Sequence, residues 1–275
     1  MLYADDTTIY HSCTDPQELQ EALAGDLSRM ADWLKTNHLY MNVRKTKLLL
    51  LARRGRAQEL DRVRLTVNDV EVERRNDVKF LGVIIDSELT WEKHVAAVRR
   101  KCFGSLATLR CLRHTLPVSL KARLFSALIR PHLDYCSVAW QECSKLLQRR
   151  IEQIQNYGMR QILMMPPRTS SELLRGMLVW DQLTKCRSML RLQLMHRCIH
   201  GLAPEYLCSR FQTNSTLPNY ARTRGWNDVH LCRPNTDWCK KSFEYMGAKD
   251  WNSLPNELKS IISKQAFRTC VRCYL

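Results

Sequence analysis

An α+β chain, with a small antiparallel sheet at the N-terminus and a mainly α-helical remainder, is predicted by three features. Short runs rich in Tyr, Thr, Val, Leu and Ile, punctuated by Asp-Asp and Asn-Asp pairs, lie before residue 89. From Leu89 onward, apolar residues recur at spacings of three and four, the period of a helix face. With 275 residues, 45% of them hydrophobic, the chain can build one large core or two modest ones.

The first element is a hairpin in Met1 to Tyr10, with Asp5 and Asp6 at its turn. A tight turn holds two carboxylates at an exposed tip. Hard cations such as Mg²⁺ take oxygen ligands, so the pair could form half of a two-metal site for phosphoryl transfer, a further carboxylate being needed. Asp is also a common turn residue, and on its own the pair reads more readily as a solvated turn.

Asp15-Pro16 opens a helix, since Pro suits a first turn, and Leu19, Leu23, Leu27, Met30 and Leu34 mark its buried stripe over about six turns. Leu39 to Lys47 then leads into an apolar strand from Leu48 to Ala52. Leu65-Thr66-Val67 and Val70-Glu71-Val72 flank Asn68-Asp69, a two-residue turn, and Val78 to Asp86 reads as one nearly continuous strand.

Thr90 is an N-cap candidate for a helix whose face runs through Val95, Val98, Cys102, Leu106, Leu109 and Leu112. Pro117 opens a second helix, with Leu120, Leu124, Leu128 and Ile129 as its core face and an interruption at Pro131. A third begins near Ser144, uses Leu147, Ile151 and Ile154, and stops before Pro166-Pro167. Stripes of this kind are buried by packing as a bundle. Further on, a helix is predicted over Leu178 to Ile199 with a stop at His200-Gly201-Leu202-Ala203-Pro204, an irregular loop over 212–237, and a final helix from Lys240, broken near Asn252 to Pro255.

Lys and Arg number 43 against 27 Asp and Glu, a formal charge of +16, which points to an anionic partner and most simply to nucleic acid. Residues 1–43 hold 2 basic and 7 acidic side chains, whereas 44–64 hold 8 and 2. Residues 90–165 hold 13 basic and 4 acidic, and Arg99, Arg100, Lys101, Arg110, Arg113, Lys121 and Arg123 are the candidate phosphate contacts. No apolar run approaches the roughly 18 residues of a membrane span, and no basic-then-apolar leader opens the chain, so an intracellular protein, nuclear or cytoplasmic, is expected. The 12 Cys fit reduced core residues in such a compartment. Cys270-x-x-Cys273 has half-zinc-site spacing that His196, Cys198, His200, Cys208, Cys232 or Cys239 would have to complete.

Tyr3-Ala4-Asp5-Asp6 matches the active-site box of reverse transcriptases, and the order of segments after it resembles the palm and thumb of the non-LTR retrotransposon (LINE, jockey-like) branch. The resemblance implies residues 1–88 as part of the palm, from active-site hairpin to primer grip, 89–165 as the helical thumb, and 166–275 as a C-terminal extension. It implies that Asp5 and Asp6 bind Mg²⁺, and that Tyr3 lies at the nucleic acid. Lys45, in the Asn42-Val43-Arg44-Lys45-Thr46 segment, corresponds to a lysine near the incoming nucleotide phosphates and a candidate proton donor to pyrophosphate. Phe80-Leu81-Gly82 resembles the primer grip, and Trp251-Asn252-Ser253-Leu254-Pro255 the C-terminal extension. The implied partners are an RNA template, a DNA primer and dNTP.

That family places its fingers, most of its palm and a third metal-binding Asp before the Tyr-Ala-Asp-Asp box. The sequence begins two residues before Tyr3, so the expectation is an RNA-directed DNA polymerase fragment with little or no activity by itself. The alternative is a non-enzymatic basic helical module that binds nucleic acid or a protein, with the Asp pair reduced to a turn.

Overall fold

The computed structural model describes residues 2–3, 6–52, 59–214, 228–231 and 233–275. It divides into two compact units, Met1–His94 and Val95–Leu275.

In the first unit, β1 (Leu2–Tyr3) pairs antiparallel with β2 (Asp6–Thr7), Tyr3 opposite Asp6. Helix α1 (Pro16–Thr36) starts where Asp15 accepts the backbone N–H of Gln17 at 3.2 Å, leaving Pro16 in the first turn, where no donor is needed. It ends at Asn37, whose side chain donates back to the Trp33 carbonyl at 2.8 Å. Leu23 and Leu27 are buried, with Leu19 and Met30 beside them, against Leu48, Leu50, Val63, Leu65, Val67 and Val72. A fully buried Leu or Val contributes about 1.5–3 kcal/mol, so this stripe is what holds α1 to the strands.

Those strands are β3 (Lys47–Leu48), β4 (Thr66–Val67), β5 (Val70–Glu71) and β6 (Glu73–Arg74). β4 and β5 form the hairpin expected around Asn68-Asp69, with φ of 49° and 61° at those residues and Val67 opposite Val70. Two left-handed residues in a two-residue loop match the twist of the flanking strands.

Two expectations are corrected. The small sheet is not one antiparallel sheet: among the described residues the ladders are separate two-stranded pieces, and β3 runs parallel to β6. Each segment offers only two to four residues of ladder, and the β4–β5 hairpin returns the chain alongside β3 in the same direction. Nor is Val78–Asp86 one strand. It folds into β7 (Asp77–Phe80) and β8 (Val83–Asp86), Phe80 opposite Val83, with φ of 44° at Leu81 and 86° at Gly82. Gly82 is the one residue of the run without a Cβ, and it permits the reversal.

Helix α2 (Glu92–Cys111) begins at the end of the first unit. Val95, Val98, Cys102, Leu106 and Leu109 are buried as their spacing predicts, while Leu112, past the helix end, is exposed. Helix α3 (Val118–Leu128) buries only part of the face expected: Ile129 just past its end is buried as expected, but Lys121 and Phe125 point inward with it, and Leu120 and Leu128 are exposed. Pro131 opens a separate short helix, α4 (Arg130–Asp134), followed by α5 (Ser137–Trp140).

In α6 (Lys145–Leu163) the Ser144 hydroxyl caps Leu147 N–H at 3.4 Å, Leu147, Ile151, Ile154, Met159 and Ile162 are buried, and Met164 ends the helix in the left-handed region. The helix expected over 178–199 is α8 (Leu183–Ile199), which starts five residues later than expected, because Leu178 is the last residue of a preceding helix, α7 (Ser171–Leu178), that stops where Val179 takes φ 54°. Gly201, at φ 66°, follows α8 at the predicted stop. Then come α9 (Glu205–Cys208), α10 (Asp237–Lys241), α11 (Phe243–Asn252), α12 (Asn256–Lys259) and α13 (Lys264–Tyr274). α8 packs on α11 and α13 around Leu192, Met195, Ala248, Trp251, Leu254, Phe267 and Val271. Among the described residues no helix is long and apolar enough to cross a membrane.

Candidate nucleic-acid interface

Asp5 and the side chain of Tyr3 lie outside the described residues. Asp6 is exposed on β2, next to the turn rather than within it. Three residues later, Ile9 packs into the same apolar cluster as Met41 and Val43, which precede Lys45. Lys45 is exposed in a turn built by Asn42, whose carbonyl accepts Lys45 N–H at 3.0 Å and whose side chain accepts it at 3.2 Å. The Thr46 hydroxyl donates to the same carbonyl at 3.0 Å. The Asn-to-Thr segment is thus a closed turn that presents the lysine to solvent.

Among the described residues no three His, Cys, Asp or Glu side chains converge on a point that could hold a metal ion. The described part of the acidic hairpin contributes one carboxylate, that of Asp6. Cys232 lies outside the described residues, and Cys270 and Cys273 sit on α13. His196, weighed as a zinc ligand, instead hydrogen-bonds the Ile261 carbonyl through Nε2 at 2.7 Å. A carbonyl only accepts, so Nε2 carries the proton.

Phe80, Leu81 and Gly82 form the tip of the β7–β8 hairpin, with Gly82 exposed. Its base is tied down by residues that periodicity does not mark. The buried Asp86 carboxylate accepts backbone N–H groups from Glu88 at 3.2 Å, Thr90 at 2.9 Å and Trp91 at 2.8 Å. It so holds a loop in which Leu89 and Trp91 take φ of 53° and 67°. Buried His94 accepts Ile84 N–H through Nδ1 at 3.3 Å, and Lys93 pairs with Asp77. The one sequence signal for Asp86 was a carboxylate ending an apolar strand just before a helix.

On α2, Arg100, Lys101 and Arg110 are exposed and Arg99 half-buried, and no acidic residue lies between Val95 and Leu112. The Arg99 guanidinium sits 5.7 Å from the ring centre of Phe103, which is 5.8 Å from the ring of Tyr157 on α6. Arg113, just past α2, donates through Nε to His114 at 2.9 Å, and Arg123 is exposed on α3. Lys121 is corrected. It is 2% exposed, and its ammonium donates to the Arg113 carbonyl at 3.0 Å, so it closes the α2–α3 turn rather than facing a phosphate.

No family model and no solved structure matches the chain. Three curated proteins do. The probable RNA-directed DNA polymerase from transposon BS of Drosophila melanogaster is 26% identical over 163 residues, 58% of this chain and 18% of that protein. The probable RNA-directed DNA polymerase from transposon X-element of the same organism is 23% identical over 157 residues, 56% of this chain and 17% of its own length. The RNA-directed DNA polymerase from mobile element jockey of Drosophila funebris is 23% identical over 163 residues, 58% of this chain and 17% of its own length. The matched stretch thus spans less than a fifth of each relative. The chain is related to the RNA-directed DNA polymerases of jockey-like, non-LTR retrotransposons.

Proposed function

We propose that this chain is part of a non-LTR retrotransposon reverse transcriptase and supplies surfaces that hold the primer and template. The observation that carries the reading is the agreement of all three relatives in being RNA-directed DNA polymerases. The basic stretch of α2 from Val95 onward, which holds no acidic residue, supports it, because phosphate neutralisation by Arg and Lys is how such a protein would grip a backbone without reading sequence. In this reading Asp5 and Asp6 are two of the carboxylates of a Mg²⁺ site, Lys45 lies at the dNTP phosphates, and the Phe80–Gly82 tip supports the primer end. The glycine lets a backbone approach closely there.

Binding of a labelled RNA–DNA primer-template should weaken steeply as salt rises, and Arg100→Ala should reduce the slope of that dependence by about one. By itself the chain is expected to extend no primer with dNTP and Mg²⁺. Extension abolished by Asp5→Asn would overturn that expectation. A second reading, docking of a protein, draws on α3, where Val118, Leu120 and Leu128 are 45%, 38% and 48% exposed. Association that ignores salt would favour it.

A further inference from the structure

We infer that Phe103 and Tyr157 form a stacking platform for unpaired bases of a nucleic acid, a site that rests on the nucleic-acid reading above and refines it. Large aromatic side chains are ordinarily driven inward, yet Phe103 is 37% exposed at mid-helix on α2, and Tyr157 beside it is only half-buried. Their rings lie 5.8 Å apart at 57°, one leaning on the other, so each limits the rotation of its neighbour. A ring held in place loses little freedom when a base lies on it.

The surroundings select the ligand. Arg99 and Arg100 are one turn before Phe103 on the same face of α2, and Arg110 is two turns after it. On α6, Arg150 precedes Tyr157 by two turns on its face and is exposed. The single acidic residue of α6, Glu152, points elsewhere, towards Arg175 at 3.7 Å. Beside Phe103, Gly104 leaves open space: a methyl group placed there would meet nothing within 4 Å.

A purely apolar partner would leave these guanidinium groups desolvated and unpaired. A paired duplex would satisfy them but hide its base faces from the rings. A single strand satisfies both, with phosphates on the arginines and a base on the aromatic pair.

The test is fluorescence anisotropy of the whole chain with a labelled 20-nucleotide oligothymidylate and with a duplex of mixed sequence. Phe103→Ala and Tyr157→Ala should each weaken single-strand binding by about tenfold, change duplex binding much less, and leave the salt slope as it was. Phe103→Trp should restore it, and thermal melts should show all three variants folded. If the wild type binds with steep salt dependence but the alanine variants match it, the platform is wrong and the nucleic-acid reading stands. Equal losses on single strand and duplex also reject the platform. If the wild type binds neither probe, the nucleic-acid reading itself fails, and the platform with it.

Discussion

The Asp86 carboxylate accepts the backbone N–H of Trp91 at 2.8 Å, joining the end of β8 to the residue before α2. It also takes the N–H groups of Glu88 and Thr90, so one side chain satisfies three donors of a loop with two left-handed residues. Asp86→Ala would leave those donors without their acceptor. Losing an acceptor costs about 1–3 kcal/mol per group, less when the losses are shared, so a destabilisation of about 2–4 kcal/mol is expected. Asp86→Asn keeps one acceptor oxygen and should lose about half as much. Urea unfolding measures both, and hydrogen exchange at residues 88–91 should accelerate in step. A midpoint shift for Asp86→Ala no larger than that of Glu88→Ala would contradict this account.

Gly158 of α6 faces the ring of Phe125. A Cβ there would overlap that ring and lie 3.3 Å from Leu106 Cδ2. Phe125 is 1% exposed and leans on Trp180 at 4.9 Å, so it has nowhere to go. Ala is favoured over Gly in a helix by roughly 1 kcal/mol, but overpacking costs typically about 1–3 kcal/mol, and with immobile neighbours the clash should win. Gly158→Ala is therefore expected to lower the melting temperature. Gly25→Ala, in α1 with nothing within 4 Å, should raise it. Shifts of the same sign in the two variants would refute the packing argument.

What the sequence shows and what it hides follow from how each feature is encoded. The stripes of α1, α2 and α6 and the Asn68-Asp69 turn are legible because burial and positive φ act on residue type at fixed spacing. α3 is not, because two stripes lie side by side on it. Leu120, Leu124 and Leu128 are the more apolar, yet Lys121 joins the buried one by running its methylene stem inward and bonding the Arg113 carbonyl. The β7–β8 reversal hides in a nearly continuous apolar run with only Gly82 to mark it. Of the candidate site, the basic face of α2 was readable from charge alone. The Phe103–Tyr157 contact joins residues 54 apart and leaves no trace in either helix pattern.

Arg191 on α8 joins Glu142, after α5, to Asp250 on α11, the latter at 2.7 Å. Its side chain is 6% exposed, while the carboxylates keep 27% and 23% exposure. Removing one member of a fully buried pair costs about 3–5 kcal/mol, and partial solvation of the carboxylates should bring Arg191→Met to about 2–3 kcal/mol. Arg191→Lys should recover little, since one ammonium does not span two carboxylates as a planar fork does. Chemical denaturation of the two variants checks both. A lysine variant as stable as the wild type would show that charge, not geometry, is what the site needs.

His196 and His200 on α8 give this core a dependence on pH. Their rings are 4.4 Å apart, and His196 is fully buried and stacked on Phe267 at 4.2 Å, with Trp251 at 6.3 Å. Burial holds the pKa of both below the ordinary 6.5; at His196 the bond to the Ile261 carbonyl works against this, and the neighbouring His200 adds a smaller lowering. A group whose folded pKa is lowered binds its proton more readily when unfolded. Its stability contribution is therefore complete above about 6.5 and is lost as pH falls through the folded value. The melting temperature should be flat from pH 8 to 7 and fall as the pH drops below about 6.5. His196→Gln, neutral throughout and still able to donate to Ile261, should flatten that fall while sacrificing some stability at pH 8. An unchanged acid limb in the His196→Gln, His200→Gln double variant would assign the pH dependence to other groups.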